Sequence, residues 1–337
     1  MNDIKFNEIN STGLVLLNRT NALNALNLEM AIAFKKKLKE WKYKKNISRI
    51  IVKGLGKAFC AGGDVKSISL AKKDSDLKSN FFKNEYELNY YIQSFPKPYL
   101  SIWNGIVMGG GVGLSIYGDY RIATTNTKFA MPESTIGFFP DVGSSYFLSR
   151  MKNNIGLYIG LTGKVLNYYE TYKLGLATNF IDTKNLEATE NDFMENKKIV
   201  NDKLPEINSE ILNNLDLIND YFSSMDIIQI FKNLNSDSSD FAKKTFKDLN
   251  NKCPYSLAIT CNMFKKAKKL SFQDCLHMDY HLSQIMVNRS DFNNGVIELL
   301  VNKNQNKKWA PNSVDNINKK IKTCFNNIST DSLKFDI

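Results

Sequence analysis

The sequence predicts an α/β fold in its first half, followed by a mostly helical region. In the first half, short apolar runs with strand-like composition alternate with segments of helical spacing, and several of these runs end next to a glycine-rich turn. Past about residue 182, Asn, Lys and Asp become frequent, and the apolar residues recur at helical spacing only. We therefore expect two units, a core over residues 1–185 and a helical region over residues 186–337.

The elements of the first half follow one another as strands and helices. The predicted strands are residues 14–17, 49–52, 99–103 and 120–123. A helix is predicted over residues 28–45. Its apolar face consists of Leu28, Ala31, Ile32, Leu38 and Trp41. The lysine run 35–37 then lies on the opposite, solvated face, which we favour over a nucleic-acid patch.

The clearest helix of the second half begins at Ser271, where Asp274 completes a capping box. Its histidines, His277 and His281, have a spacing that is also found in zinc sites. Because Met278 stands where a zincin has its glutamate and no third ligand is near in sequence, we expect no metal site. We expect both histidines on the solvated face of the helix. Proton transfer would then fall to carboxylates.

Composition and charge limit the class of protein. The 337 residues are 43% apolar, which suffices for a sizeable core and excludes a disordered or fibrous chain. Glycines and polar residues interrupt the longest uncharged stretch, residues 98–118, so we expect no membrane-spanning helix. The five cysteines lack a Cys-x-x-Cys pair, which argues against disulfides and structural zinc. The net charge of +11 suits an anionic partner without specifying which.

Two glycine-rich segments, each after a strand-like run, are candidates for ligand binding. They are Lys-Ala-Phe-Cys-Ala-Gly-Gly-Asp at residues 57–64 and Asn-Gly-Ile-Val-Met-Gly-Gly-Gly-Val-Gly at residues 104–113. Neither contains a dinucleotide or P-loop signature. A glycine turn at the start of a helix exposes unpaired N–H groups, so two such turns could form an oxyanion hole. Close packing at strand-to-helix turns is the alternative. With no histidine nearby in sequence, Cys60 is expected to be buried and apolar in role.

A third segment, residues 129–143, sets Glu133 and Asp141 in an otherwise apolar run that Pro and Gly constrain. A carboxylate in such a setting is costly unless it is paired or used, which makes both residues candidates for catalysis. Asp141 alone has an alternative interpretation, as the cap of a helix that starts near Val142.

The three segments together resemble the crotonase (enoyl-CoA hydratase/isomerase) superfamily and, more narrowly, its 3-hydroxyisobutyryl-CoA hydrolase family. The motifs that carry the resemblance are Ala-Phe-Cys-Ala-Gly-Gly-Asp at 58–64, Met-Gly-Gly-Gly-Val-Gly-Leu-Ser at 108–115, Phe-Ala-Met-Pro-Glu at 129–133 and Gly-Phe-Phe-Pro-Asp-Val-Gly at 137–143. Asp-Phe-x-x-Gly-Val at 291–296 and Lys-Trp-x-Pro at 308–311 extend the likeness to the C-terminal region. The ordered combination is highly specific.

The resemblance implies a crotonase-like spiral of ββα units, a helical C-terminal region and a bound acyl-CoA. It further implies that the N–H groups of Gly63 and Gly110 hold the thioester oxygen. Glu133 and Asp141 match the acidic pair of the family, and Glu85 falls where the family has a further substrate-contacting glutamate. Contacts to CoA are expected from Arg19, Ala22, Lys57, Ala61, Gly62 and Asp64. CoA is part of substrate and product, so no separate cofactor is expected.

The activity that the resemblance implies is hydrolysis of a short 3-hydroxyacyl-CoA thioester, foremost 3-hydroxyisobutyryl-CoA, as in valine catabolism. Glu133, ionised unless burial strongly raises its pKa, would attack the carbonyl to give a mixed anhydride or would activate water, and Asp141 would orient the 3-hydroxyl or the water. Hydratases of the superfamily carry a second glutamate at the position of Gly113, and its absence favours hydrolysis. The alternatives are an enoyl-CoA hydratase or isomerase, and a non-catalytic CoA- or RNA-binding protein.

The resemblance also implies a mitochondrial location. Residues 1–10 show no arginine-rich presequence, so a cytoplasmic location is the alternative. Superfamily members are often trimers or hexamers, which makes a homo-oligomer an option for this chain. We expect no nucleic-acid and no membrane partner.

Overall fold

A computed structural model describes residues 3–72, 75–304, 307–315 and 317–335 of the chain. In these residues the strands are β1 (Ile4–Ile9), β2 (Thr12–Leu17), β3 (Arg49–Gly54), β4 (Ala58–Cys60), β5 (Tyr99–Trp103), β6 (Ile106–Met108), β7 (Tyr120–Ala123), β8 (Lys128–Ala130), β9 (Leu166–Asn167) and β10 (Asn179–Phe180). The helices of the first half are α1 (Leu28–Tyr43), α2 (Val65–Leu70), α3 (Leu77–Gln93), α4 (Gly110–Gly113), α5 (Ser144–Leu148), α6 (Ile155–Thr162) and α7 (Tyr168–Lys173).

The described residues of the second half form helices joined by turns and loops, and none of them lies in a strand. Its helices are α8 (Leu186–Met194), α9 (Glu210–Asn213), α10 (Leu215–Phe222), α11 (Ile227–Asn235), α12 (Asp240–Asn250), α13 (Pro254–Ala267), α14 (Phe272–Met286), α15 (Ser290–Val296) and α16 (Ile317–Lys322). A π-helical turn, Ile297–Val301, continues α15. Among the described residues, no helix has the length and apolar content needed to cross a bilayer.

The larger sheet has six strands in the order β1-β2-β3-β5-β7-β10. β1 and β2 form an antiparallel hairpin, and the other neighbours pair in parallel. The hairpin turns at Asn10 and Ser11, whose φ angles of 46° and 59° match a two-residue type I′ turn. The middle strands β3 and β5 are buried on both faces, which explains why they are continuous apolar runs rather than alternating ones.

The smaller sheet, in the order β4-β6-β8-β9, positions the candidate site. β4, β6 and β8 run parallel to one another, so their carboxyl ends lie side by side at one edge. Each of these three ends leads directly into one of the segments that the sequence analysis singled out. The fold therefore brings together two glycine turns and the start of the acidic segment, although up to about 70 residues of chain separate them.

Helices of the second half pack onto the first half. α14 lies against α3, which also packs on α1, and α13 lies against α5 and α6. One apolar cluster joins residues of both halves, from Ile4 to Leu333. All strands of the described ranges end by Phe180. The division at residue 185 matches this change of character, and as a division into domains it stays a prediction.

The strand predictions are confirmed, with β5 and β7 at the predicted bounds and β2 and β3 two residues longer. The predicted helix 28–45 is α1, which ends at Tyr43. The position of Ile32 on its apolar face is wrong, since Ile32 is 45% exposed and Met30 and Phe34 are buried instead. The helical repeat of 3.6 residues places positions 30, 34, 38 and 41 on one face, and Ile32 lies off that face.

The capping box of α14 is confirmed, because Ser271 Oγ accepts a hydrogen bond from the Asp274 N–H at 3.1 Å. The solvated face predicted for the histidines is wrong for His277, which is 6% exposed. Its ring packs edge-on against Phe335, with 4.9 Å between ring centroids, because the C-terminal segment covers this face of the helix. Burial lowers the pKa of His277.

Candidate active site

The two glycine turns lie in contact at the carboxyl ends of β4 and β6. A Cβ atom added to Gly110 would lie 3.1 Å from the backbone nitrogen of Gly63 and 2.5 Å from Glu85 Oε1. A Cβ atom added to Gly109 would lie 2.8 Å from Glu133 Oε1, and φ of Gly109 is 47°. Only glycine fits at these two positions, since any side chain would displace a carboxylate. The close approach explains the glycine run in physical terms.

The backbone N–H groups of Gly63 and Gly110 donate to no protein acceptor within the described residues. Gly110 is the first residue of α4, so its N–H has no acceptor inside the helix. Around Gly63, the neighbouring residues make the backbone contacts: Leu26 N–H donates to the Gly62 carbonyl and Asp64 N–H donates to the Leu26 carbonyl, both at 2.8 Å. Two adjacent unpaired donors of this kind are what an oxyanion hole requires.

Helix α3 places a third carboxyl group over the two turns. Its residue Glu85 approaches Gly110, as described above, and the next residue, Tyr86, donates its hydroxyl hydrogen bond to Asp141 Oδ2 at 2.7 Å. Asp141 therefore does not act as the side-chain cap of the following helix. The residue before that helix is Gly143, and the bond from Ser144 N–H goes to the backbone carbonyl of Asp141. The cap interpretation is wrong, because the carboxylate is turned toward α3.

These groups line one cavity of about 330 Å³. Gly63, Gly110, Glu85, Glu133 and Asp141 all contribute to its wall. Most of the remaining wall is apolar. It includes Phe81, Phe82, Met108, Ile136, Phe138, Leu299 and Leu300.

The three carboxyl groups are almost completely removed from water, with 2% exposure for Glu85, 7% for Glu133 and 5% for Asp141. Burial, followed by the charges of the other two groups, raises the pKa of Glu85 well above its usual range. Burial and then Asp141 do the same to the pKa of Glu133. The pKa of Asp141 is raised to about 7 by burial, and the hydrogen bond from Tyr86 opposes this rise. The cavity can therefore hold and release protons near neutral pH.

Buried oxygens of Glu85 and Glu133 have no hydrogen-bond partner among the described residues, in contrast to Asp141. Unpartnered polar atoms in an apolar cavity are costly in the free protein. They are consistent with groups that a polar ligand engages. In the described part of the chain, no three Cys, His, Asp or Glu side chains are arranged to hold a metal ion.

The residues expected to contact CoA lie in two places. Ala61 and Gly62 line the cavity beside Gly63. The Arg19 guanidinium forms an ion pair with Asp64 at 2.8 Å, and Asp64 also caps α2 by accepting from the Ser67 N–H. Both side chains thus serve the structure around the first glycine turn. Ala22 ends a 3₁₀ turn in front of this segment, and Lys57 is exposed at its start. Their contacts with CoA stay predictions.

Cys60 is fully buried, as expected, and its thiol donates a weak hydrogen bond to the Gly62 carbonyl at 3.4 Å. Burial raises the pKa of the Cys60 thiol to about 12, so it is not a thiolate at neutral pH. It packs beneath the glycine turns and contributes no nucleophile.

Several residues of the cavity escaped the sequence analysis. Tyr86 gave no signal of its own, but its place next to Glu85 in a helix that is buried on most sides would have pointed to it. Leu299 and Leu300 come from the π-helical turn at the far end of the chain, and no local pattern connects them to the cavity. They reach it only through the packing of α15 on α2 and on the Glu133–Ile136 turn.

Comparison with known proteins gives consistent results. The family model for enoyl-CoA hydratase/isomerase matches residues 12–325. The curated protein "3-hydroxyisobutyryl-CoA hydrolase, mitochondrial" of Xenopus laevis is 40% identical, covering 96% of this chain and 88% of that protein. The human protein of the same name is 38% identical with the same coverage. That of Dictyostelium discoideum is 42% identical over 90% of this chain and 86% of its own length.

Solved structures confirm the fold. A carnitinyl-CoA dehydratase from Mycobacterium thermoresistibile superposes with a TM-score of 0.91 at 29% identity, covering 100% of this chain and 99% of that chain. An enoyl-CoA hydratase from Rhodobacter sphaeroides gives a TM-score of 0.91 at 25% identity, covering 96% of this chain and 97% of its own. The crotonase-like α/β fold expected from the sequence is therefore confirmed. The chain belongs to the enoyl-CoA hydratase/isomerase family and, within it, to the 3-hydroxyisobutyryl-CoA hydrolases.

Proposed function

We propose that the chain hydrolyses 3-hydroxyisobutyryl-CoA to 3-hydroxyisobutyrate and CoA. The observation that carries this proposal is the meeting of two unpaired N–H groups and buried carboxyl groups in one apolar cavity. A thioester carbonyl gains negative charge on its oxygen when a nucleophile adds to its carbon. Two preorganised donors then stabilise this charge, and a carboxylate supplies the nucleophile or activates it.

In this proposal the thioester oxygen accepts from the N–H groups of Gly63 and Gly110. Glu133, in its ionised form, either adds to the thioester carbon or takes a proton from the water that adds. In the first route, the C–S bond breaks, CoA leaves as a thiolate that takes up a proton, and water then cleaves the mixed anhydride. Because burial raises the pKa of Glu133, its ionised form is a stronger base and nucleophile than a carboxylate in water.

Asp141 and Glu85 hold the remainder of the acyl group. Asp141 has one oxygen engaged by Tyr86, which leaves its other oxygen to accept from the 3-hydroxyl group or from water. The buried, unpartnered oxygen of Glu85 lies against Gly110, where it accepts from a further polar group of the substrate. The apolar wall encloses the methyl-bearing part of the acyl chain.

Local packing favours hydrolysis over water addition to a double bond. A Cβ atom added at Gly113 would lie 2.7 Å from Asn89 Nδ2 and 2.8 Å from Val142 Cβ. The position at which a hydratase would need its second glutamate is thus filled by other side chains. Without that glutamate, the cavity lacks the second carboxylate that addition of water across a double bond requires.

The location and the assembly of the protein also belong to this proposal. The relatives are named mitochondrial, which supports a mitochondrial location, with the cytoplasm as the alternative. A homo-oligomer, and the absence of nucleic-acid and membrane partners, stay predictions. CoA enters the site as part of the substrate and is not a resident cofactor.

A thiol-release assay with 3-hydroxyisobutyryl-, 3-hydroxypropionyl-, acetyl- and crotonyl-CoA tests the proposal. We expect the highest kcat/KM with 3-hydroxyisobutyryl-CoA, and Glu133→Gln and Asp141→Asn should each lower kcat by about 100-fold or more. Hydration of crotonyl-CoA with little thiol release would favour the hydratase alternative. Tight, salt-sensitive RNA binding without turnover would favour the binding-protein alternative.

Repeated turnover in oxygen-18 water tests the anhydride route. Water that attacks the enzyme's own carbonyl in the anhydride returns a labelled oxygen to Glu133, so label in that side chain would establish this route. Absence of label from the peptide that contains Glu133 would leave either activation of water or attack of water on the acyl carbonyl of the anhydride as the mechanism. Both outcomes are read by mass spectrometry after digestion.

A further inference from the structure

The turn that follows Asp141 has an unusual backbone. Val142 has φ of 55° and Gly143 has φ of 72°, so two successive residues lie in the left-handed region. For Gly143 this is ordinary, but for a β-branched valine the left-handed region is rare and strained. Such a conformation persists only where the surroundings hold it.

Two side chains hold one peptide group of this turn. The Tyr117 hydroxyl donates to the Val142 carbonyl oxygen at 2.6 Å, and the Gly143 N–H donates to Asp279 Oδ2 at 2.7 Å. This carbonyl and this N–H belong to the same peptide bond, so its plane is fixed from both ends. Turning the peptide over would break both hydrogen bonds and leave a buried donor and a buried acceptor without partners.

The packing around the turn leaves no room for an alternative path. A Cβ atom added to Gly143 would lie 2.3 Å from Phe272 Cε2 and 2.6 Å from the Tyr117 hydroxyl oxygen. Phe272 and Asp279 both belong to α14, so one helix of the C-terminal region covers the turn and also binds it. The backbone of Val142 and Gly143 is therefore held by Tyr117 of the first half and by helix α14 of the second half.

The carboxyl group of Asp279 makes a single hydrogen bond within the described residues, the one with the Gly143 N–H. It is completely buried, and its Oδ1 has no hydrogen-bond partner among the described residues. It is not part of the cavity wall as described above. A buried carboxyl group that makes a single hydrogen bond lowers the stability of a protein. Its presence here therefore indicates that this bond serves a function. The bond in question is the one to the turn that carries Asp141.

We propose that Asp279 is a positioning residue for Asp141. With the hydroxyl of Tyr117, its carboxyl group fixes the Val142–Gly143 peptide, and this holds Asp141 at the cavity, where Tyr86 orients its carboxylate. The inference rests on the proposed function, because that proposal assigns Asp141 to binding of the acyl group. It adds that helix α14 of the helical region acts on catalysis without touching the substrate.

The test measures kcat and KM for 3-hydroxyisobutyryl-CoA in variants at positions 279 and 117. Asp279→Leu keeps the branching of the side chain at Cγ but accepts no hydrogen bond, and it should lower kcat by about 10- to 100-fold with KM within about threefold of the parent. Asp279→Asn offers an oxygen to the same N–H and should restore most of kcat. Tyr117→Phe should lower kcat by about tenfold. The double variant should lose less than the product of the single losses, because both act on one peptide.

Glu170→Ala serves as the matched control. Glu170 is a buried carboxylate that accepts from the Asn167 N–H at 3.0 Å and from the Ser209 hydroxyl at 2.6 Å, and it does not line the cavity. Its loss should lower thermal stability and leave kcat per folded molecule unchanged. If Asp279→Leu has the kcat of the parent after correction for the folded fraction, the inference is overturned. If Asp279→Leu does not fold, Tyr117→Phe carries the same test, and an unchanged kcat overturns the inference.

Hydrogen exchange separates failure of this inference from failure of the proposed function. Exchange of the backbone amides at residues 142–144 should become faster in Asp279→Leu and not in Glu170→Ala, whatever the substrate is. Should the parent protein release no thiol from any tested CoA ester, the proposed function fails, and the exchange measurement still decides whether Asp279 holds the turn.

Discussion

The first half of the chain and the helical second half contribute different things to the cavity. The groups that would react, Glu133, Asp141 and the N–H groups of Gly63 and Gly110, all come from segments at or near strand ends in the first half. The second half contributes apolar cover through Leu299 and Leu300, and it contributes Asp279, whose carboxyl group accepts a hydrogen bond from the Gly143 N–H. The first half thus holds every group that would react and also most of the apolar wall.

This difference follows from what strands and helices can do. Neighbouring parallel strands end at one edge of the sheet with fixed spacing. The distances between the residues that follow β4, β6 and β8 are therefore closely defined. Helices that pack on such an edge exclude water and restrict loops, but they do not need to supply reactive groups. Changes in the first half should therefore act on kcat, and changes in the cover should act mainly on KM.

The largest effect is expected from Gly110→Ala. The added methyl group would lie 2.5 Å from Glu85 Oε1, so either the carboxylate or the N–H group of residue 110 must move. Loss of one oxyanion donor typically lowers kcat by about 100- to 1,000-fold, and we expect a loss of this size in the thiol-release assay.

Gly175→Ala is the control for this change. Gly175 also has a left-handed φ, 75°, but a Cβ atom there meets nothing within 4 Å. It should lower stability through backbone strain and leave kcat within about twofold of the parent. Equal losses of kcat in the two variants would contradict the role of the Gly110 turn.

An intermediate effect is expected on the pH dependence. Because burial raises the pKa values of Glu85, Glu133 and Asp141, the ionised form that attacks or accepts a proton is lost as pH falls below neutrality. We expect kcat/KM to rise with pH through an apparent pKa well above the usual range of a carboxyl group, and this apparent pKa belongs to the coupled carboxyl groups together. An acid limb near pH 4.5, the usual value for glutamate, would contradict this environment.

Tyr86→Phe sharpens that prediction. The Tyr86 hydroxyl lowers the pKa of Asp141, so its removal should move the acid limb to higher pH and reduce the rate at neutral pH by about tenfold. At pH 9 the variant should recover much of the parent rate, provided that the tyrosine acts through ionisation. A uniform loss at every pH would instead indicate a positional role.

The smallest effect is expected from substitutions in the apolar cover, which consists of Leu299 and Leu300 of the second half. Leu299→Ala should raise KM several-fold with little change in kcat, because it removes apolar contact with the bound acyl-CoA and no reacting group. Val301→Ala is matched to it, since Val301 belongs to the same turn but is 43% exposed and does not line the cavity. A large loss of kcat in Leu299→Ala would contradict the expectation that the apolar cover of the second half acts mainly on KM.

The parts of the site that could be predicted from the sequence are the residues that follow the ends of strands. Glycine turns and a carboxyl pair in a constrained segment have local signals, and the fold brings Gly63, Gly110 and Glu133 together as expected. Tyr86 and Asp279 have no local signal, because their roles depend on which helix packs over the turn after Asp141. The error at His277 has the same origin, since the segment that covers it lies more than 50 residues away in sequence.

The crowding at Gly113 bears on how members of one superfamily diverge. A single replacement there by glutamate meets both Asn89 on one side and Val142 on the other. A descendant that gains the chemistry of a hydratase must therefore remake helix α3 and the turn beyond Asp141 together with this position. In this chain, a glutamate at position 113 alone would therefore disturb the packing before it could add a catalytic group.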